Sequence, residues 1–404
     1  MLMLFSTDLK MNETTLKQDI FIVDGLRTPI GVPHKSLKNF TAAELAAFVI
    51  KAMIKQNKIN ADQVDEIILG NVVSAGIGQN MARQAALKAG LSVETRSLTI
   101  NNVCGSGLES LILGVKSLLV GDADLVLCGG SESATHNPYF IERDKGENAD
   151  ASHLKDSLIE DGLMCSITKK HMGEIVESLA KRNKINRKEQ DAFALNSHVK
   201  AMNAQKEDYF KDEIVGIPLS AENILKTDDR PRKKISIENF EKLKPAFSKT
   251  GTVTAGNASS PSDGAAICLL SNKKIMTKLK LKPKAKLISY LTMGFNPEQA
   301  FEAPITAIEQ ILKKARLTLA DIDIFEVAES FAAQAILIQN KLKIPSKKLN
   351  IRGGDLAFGH PLAAAGARIL VTLMNALKRE KLKRGLAVIA YGGGGATAVI
   401  IEAI

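Results

Sequence analysis

The chain has 404 residues, a formal net charge of +10, 45% hydrophobic residues, 29 glycines and no Trp. That length buries a large core and exceeds one typical domain, and no apolar run approaches the length of a membrane span. Four scattered cysteines (Cys104, Cys128, Cys165, Cys268) lack the paired spacing of a disulfide framework or a zinc site. The basic residues are dispersed, as in Lys273–Lys286, rather than interleaved with aromatics, which weighs against a nucleic-acid binder.

Residues 1–18 read as a polar leader. Met1-Leu-Met-Leu-Phe5 has no basic flank and is too short for a signal peptide. Asp8, Glu13 and the absence of Arg before Arg27 argue against a transit peptide, so a cytoplasmic location is expected. Ile20–Val23 is a short apolar strand, followed by a turn at Arg27-Thr28-Pro29. Helical periodicity runs from Ala42 to Ile54, with Thr41 placed to cap it. Asp65–Gly70 reads as a strand and Met81–Ala89 as a helix. Ser97–Val103 is a strand leading to Cys104, Gly107–Val120 an apolar helix, and Leu125–Cys128 a buried strand closed by Gly129-Gly130. Cys128 and Cys268 fall in such runs and read as small buried hydrophobes.

From about Tyr139 to Phe247 the chain turns charged and loop-like, with helical stretches such as Arg187–Gln205. This reads as an inserted lid over residues 139–248. Gly251–Leu270 returns to the core. The opening pattern then recurs: strand Lys286–Tyr290, helix Pro304–Ala315, strand Ile322–Val327, helix Ala332–Leu342. A glycine-rich turn holding His360 follows, then helix Ala364–Leu377, strand Leu386–Ala390, the Gly392–Gly395 turn and a last strand. Two α/β halves, 19–138 with 249–282 and 283–404, look like copies of one unit.

Each copy puts a chemically capable side chain in a glycine-rich turn just ahead of its most hydrophobic helix. The first has Cys104 in Asn101-Asn-Val-Cys-Gly-Ser-Gly-Leu108. The second has His360 in Asn350-Ile-Arg-Gly-Gly-Asp-Leu-Ala-Phe-Gly-His-Pro361. A helix N-terminus favours a thiolate, and a nearby histidine takes the thiol proton. That pairing is the arrangement of covalent acyl transfer. The pattern therefore expects both turns to face one cleft.

Both segments resemble those of thiolases, enzymes that make or cleave 3-ketoacyl-CoA, and the likeness runs from about Asp19 to the C-terminus. The resemblance implies a thiolase-like α/β fold of two pseudo-symmetric halves with layered sheets and helices plus a lid. It implies Cys104 as nucleophile, His360 as base, and backbone N–H groups of Cys104 and Gly392 as an oxyanion hole. Leu163, His171 and Met172 match lid contacts with CoA. Ala255, Gly256 and Ser259 match the pantetheine loop, Arg232 the adenine-side arginine, and Phe247 and Phe331 apolar contacts. Coenzyme A enters as substrate or product, with no other cofactor and no metal. A homodimer or homotetramer is the expected assembly.

Two positions depart from the family pattern. Its second, acid/base cysteine is Ala390 here. Tyr391 follows, but neighbours on a strand point to opposite faces and a phenol titrates near 10. The family's Asn-Glu-Ala-Phe reads Ala328-Glu329-Ser330-Phe331, without the Asn that holds an oxyanion-hole water. The expected activity is acyl transfer through Cys104 in fatty-acid or acetoacetyl-CoA metabolism, with the carbon–carbon step weakened. The alternative is a thiolase-fold acyl-CoA binder or partner subunit with little turnover. A ketoacyl-carrier-protein synthase shares the nucleophile placement, but the Gly-His-Pro segment and long basic insertion weigh against it.

Overall fold

A computed structural model describes residues 16, 18–143, 150–232 and 235–404. The leader expected over residues 1–18 lies almost wholly outside them. The first half runs β1 (Ile20–Arg27), α1 (Ala42–Asn57), β2 (Glu66–Gly70), α2 (Met81–Ala89), β3 (Arg96–Ile100), α3 (Ser106–Val120) and β4 (Leu125–Ser133). Then come α4 (Met172–Arg182), α5 (Arg187–Lys206) and β5 (Asp263–Asn272). The rest is β6 (Ala285–Gly294), α6 (Ala303–Ala315), β7 (Ile324–Val327), α7 (Ala332–Leu342), α8 (Leu362–Glu380), β8 (Arg384–Tyr391) and β9 (Gly395–Ala403). Thr41 does cap α1: its hydroxyl accepts from Glu44 N while the Glu44 carboxylate accepts from Thr41 N, a reciprocal capping box.

The nine strands hydrogen-bond in the order β7-β8-β9-β6-β1-β5-β4-β2-β3. The order contains a repeat. From the first half's edge it reads β3, β2, β4, β5, β1. From the other edge it reads β7, β8, β9, β6, with Leu349 in a parallel bridge to Phe325 where a counterpart of β3 belongs. In both halves the last strand, β5 or β9, is antiparallel to its two neighbours. The halves meet where Phe21 and Ile22 of β1 pair with Lys286 and Ala285 of β6.

Helices α3 and α8 pack on each other and each touches strands of both halves: α8 lies on β4, β5 and β8, α3 on β2, β4 and β9. Small residues permit the close crossing. A Cβ at Gly107 would sit 2.7 Å from Ala367 N, and one at Gly366 2.9 Å from Leu108 N. The run Val103–Val120 is in fact long and apolar enough to span a membrane, contrary to the composition reading, but it is spent on this core, 56% buried. Strand β4 also runs past the expected stop, through Gly129-Gly130 to Ser133. Those glycines admit neighbours: a Cβ would lie 2.0 Å from Ala266 O at Gly129 and 2.0 Å from Ala363 O at Gly130.

Between β4 and β5, helices α4 and α5 pack against α7. The buried Arg27 of β1 reaches Glu213 at 2.7 Å and Asp228 at 2.6 Å, tying this segment to the sheet. Both carboxylates accept from the guanidinium in the interior, so no charge there is unpaired.

Candidate active site

Strand β3 ends at Ile100, and residues 101–105 form a tight turn that delivers Cys104 just ahead of α3. Val103 sits at φ 47, a left-handed conformation that a β-branched residue adopts only under constraint. The constraint is visible. Ser106 Oγ donates to Val103 O at 2.6 Å and accepts from Asn102 N at 2.8 Å, and Val103 N donates to Asn101 Oδ1 at 2.9 Å. The turn aims the partly exposed Cys104 into a cavity of about 250 Å³.

His360 enters the same cavity from the second half. Gly359 before it has φ 99, and a Cβ there would lie 2.1 Å from Ser262 Oγ, so only glycine fits. The His360 N–H donates to Ser260 O at 2.8 Å. Its Nδ1–H donates to Asp355 Oδ2 at 2.9 Å, and Asp355 Oδ1 accepts from Arg368. All three side chains are buried. Burial works against the imidazolium, but a thiolate at Cys104 and the Asp355 carboxylate outweigh it and push His360 up to about 10. Burial likewise opposes the Asp355 charge, yet Arg368 and His360 hold its carboxyl below the ordinary range. The arrangement is a thiol, a histidine and a carboxylate in series, with the carboxylate fixing the ring and stabilising its charged form.

Of the residues expected at the site, Cys104, His360, Gly392, Leu163, His171, Met172, Phe247, Ser259 and Phe331 line this cavity. His171 also caps α4, accepting from Gly173 N at 3.0 Å, and stacks on Phe247 with ring centroids 4.8 Å apart. Burial first, against a smaller opposing effect of Glu174, holds its pKa below the ordinary value. Phe247 and Phe301 both meet Phe331 edge-on, at 6.4 and 5.2 Å. Ala390 lines the cavity and brings only a methyl group. Tyr391 points away, donating from its hydroxyl to Met293 O at 2.9 Å. Cys165, nearby in the core, accepts from Thr168 N at 3.4 Å and is outside the lining.

Arg232, Ala255 and Gly256 are not brought to Cys104. They line a second, smaller cavity with His198, Arg230 and Phe240. The loop 254–259 serves both spaces, Ala255 and Gly256 facing one and Ser259 the other. The second cavity is electropositive. Burial, then Arg232 and Arg230, push His198 down to about 4, and burial, then Arg232, lower Arg230. Among the described residues no group of three or more His, Cys, Asp or Glu is placed to hold a metal ion.

Sequence reasoning missed Asp355, Arg368, Ser330 and Phe301. Asp355 did leave a signal, an acidic residue five positions before a histidine in an otherwise apolar glycine-rich segment. Ala328 is fully buried with its N–H on Val388 O, and Glu329 is occupied by Ser197 and Asn350. Of that segment Ser330 and Phe331 reach the cavity.

This fold, with a cysteine and a histidine meeting from pseudo-equivalent turns, defines a two-half α/β acyltransferase architecture. Residues 20–274 match the thiolase N-terminal domain family and residues 281–403 the thiolase C-terminal domain family. The chain belongs to the thiolase family. It is 41% identical over 388 residues to a probable acetyl-CoA acyltransferase of Staphylococcus aureus (strain COL), covering 95% of this chain and 98% of that one. Human mitochondrial 3-ketoacyl-CoA thiolase in complex with CoA superposes with a TM-score of 0.92 at 36% identity, over 96% of this chain and 99% of that one. Bacillus anthracis acetyl-CoA acetyltransferase gives a TM-score of 0.92 at 34% identity, over 97% and 100%.

Proposed function

We propose that this chain is a thiolase-type acyltransferase that carries its acyl group as a thioester on Cys104. The observation that carries the reading is the meeting of Cys104 and His360 at one apolar cavity, with Asp355 behind the ring on Nδ1. His360 takes the thiol proton, Asp355 holds the resulting imidazolium, and the Cys104 sulfur attacks the carbonyl carbon. The oxygen that gains charge is met by the N–H groups of Cys104 and Gly392. The carbonyl then re-forms, expelling either a CoA thiolate or the carbon chain of a 3-ketoacyl-CoA.

Coenzyme A is substrate and product here. The small residues of loop 254–259 suit the narrow pantetheine arm, and the arginines beside Ala255 and Gly256 suit its phosphates. Leu163, Met172, Phe247 and Phe331 offer the acyl end apolar walls. The reading divides the chain into halves 19–138 with 249–282 and 283–404, and a CoA-binding insert 139–248. It extends to a homodimer or homotetramer in the cytoplasm, working in fatty-acid or acetoacetyl-CoA metabolism.

Intact-mass analysis after incubation with acetyl-CoA tests the reading. The expected result is one acetyl group on Cys104, abolished by Cys104→Ser. Coenzyme A bound without any adduct would instead make the chain a binder, the alternative that its relatives do not favour.

A further inference from the structure

Two of the described residues that line the cavity carry a buried side-chain atom without a hydrogen-bond partner: His360, whose Nε2 is left to meet the Cys104 thiol, and Ser330, whose Oγ has no such use; the residues are 4% and 5% exposed. A buried hydroxyl without a partner costs stability, and such orphans in folded proteins call for an explanation. The backbones of these two residues are tied to one stretch of chain. Ser259 N donates to Ser330 O at 2.9 Å, and the next residue, Ser260, accepts from His360 N at 2.8 Å. Phe331 and His360 bridge the same stretch through Ala258 and Pro261. One extended segment therefore places both residues at the wall of one space. Ala390 lines the same cavity and brings only a methyl group.

We propose that the Ser330 hydroxyl is a catalytic hydrogen-bond donor to the thioester carbonyl oxygen of the substrate while that oxygen carries enolate charge. The proposal rests on the acyl-transfer reading. In thiolysis, Cys104 adds to the 3-keto carbon, and the bond from that carbon to C2 breaks. The acyl group stays on sulfur, and the electron pair passes to C2 and onto the thioester oxygen. Ser330 Oγ–H donates to that oxygen and keeps its proton. His360 returns to C2 the proton it took from Cys104, which restores the thioester and a neutral imidazole. A CoA thiol then takes the acyl group from Cys104 and gives its proton, through His360, back to the Cys104 sulfur, which completes the turnover.

The role separates the two halves of the reaction. Acylation of Cys104 by acetyl-CoA forms no enolate, whereas cleavage of acetoacetyl-CoA does. In Ser330→Ala, acetyl-CoA should still load Cys104 to the wild-type extent. The turnover number for acetoacetyl-CoA thiolysis should fall about 10²–10³-fold, the cost of one lost oxyanion donor. The melting temperature should hold or rise, because an unpartnered buried hydroxyl has been removed. Unchanged thiolysis overturns the proposal. So does equal loss of loading and thiolysis, or a clear drop in melting temperature, either of which makes Ser330 structural. Failure of the wild type itself to load Cys104 would instead overturn the acyl-transfer reading beneath it.

Discussion

A histidine in a dry cavity ordinarily loses its proton, since burial penalises the charged ring. His360 does the opposite because the Cys104 sulfur faces it and because Asp355, itself held by Arg368, lies 2.9 Å from Nδ1. Asp355→Asn removes that negative charge at nearly constant shape. With less opposing burial, the imidazolium should titrate lower, by one unit or more, about tenfold per unit in its population. The alkaline limb of the thiolysis pH profile reports loss of this proton and should move toward neutral pH. An unmoved limb with intact folding would deny Asp355 its positioning role. The reactive pair was legible in the chain because each lies in a local glycine–turn–helix pattern. Ser330 was not, because its place at the cavity depends on backbone contacts with the segment 258–261, far away in sequence.

At the scale of elements, the halves are joined by two helices whose backbones nearly touch. A Cβ at Gly366 has only 2.9 Å to Leu108 N. Gly366→Val would force α3 and α8 apart, and overpacking of this kind costs about 1–3 kcal/mol. The denaturant midpoint should fall accordingly, and loading of Cys104 should fall with it, since both reactive turns precede these helices. Gly294→Ala is the control. Nothing lies within 4 Å of its Cβ position, so it should be neutral or slightly stabilising. A tolerant Gly366 would mean that the crossing does not set the site. The type of each main element followed from its period. The ends did not where glycine was read locally: Gly129 and Gly130 look like a stop, yet they keep β4 going because β5 and α8 need their space.

At the scale of the molecule, buried titratable groups decide how stability follows pH. Glu132 is pushed up to about 7 by burial, against the backbone N–H groups of Val72, Val73 and Ala363. Burial also lifts Glu326, to about 8, with Arg368 opposing. For a carboxyl raised above its unfolded value of 4.5, the unfolded chain ionises first, and stability is lost as pH rises through that interval. His360, raised from 6.5 to about 10, contributes stability that is full below 6.5 and is lost on the way to 10. His198 works the other way: lowered from 6.5 to about 4, it removes stability as pH falls through that range. Below about pH 6.5 His198 offsets only part of the loss, because burial raises Asp263 and Glu329 as well as Glu132 and Glu326. Above it Glu132, Glu326 and His360 act together, and the lowered pKa of Lys200 opposes them only at the alkaline end. The melting temperature, followed by calorimetry, should already decline from about pH 5 and fall on to about pH 9. Asp355→Asn should shrink the part of that fall due to His360, because its histidine then gives up its proton closer to the range of the unfolded chain. A melting temperature that climbs over the same interval would mean that these buried groups do not carry the charges assigned to them.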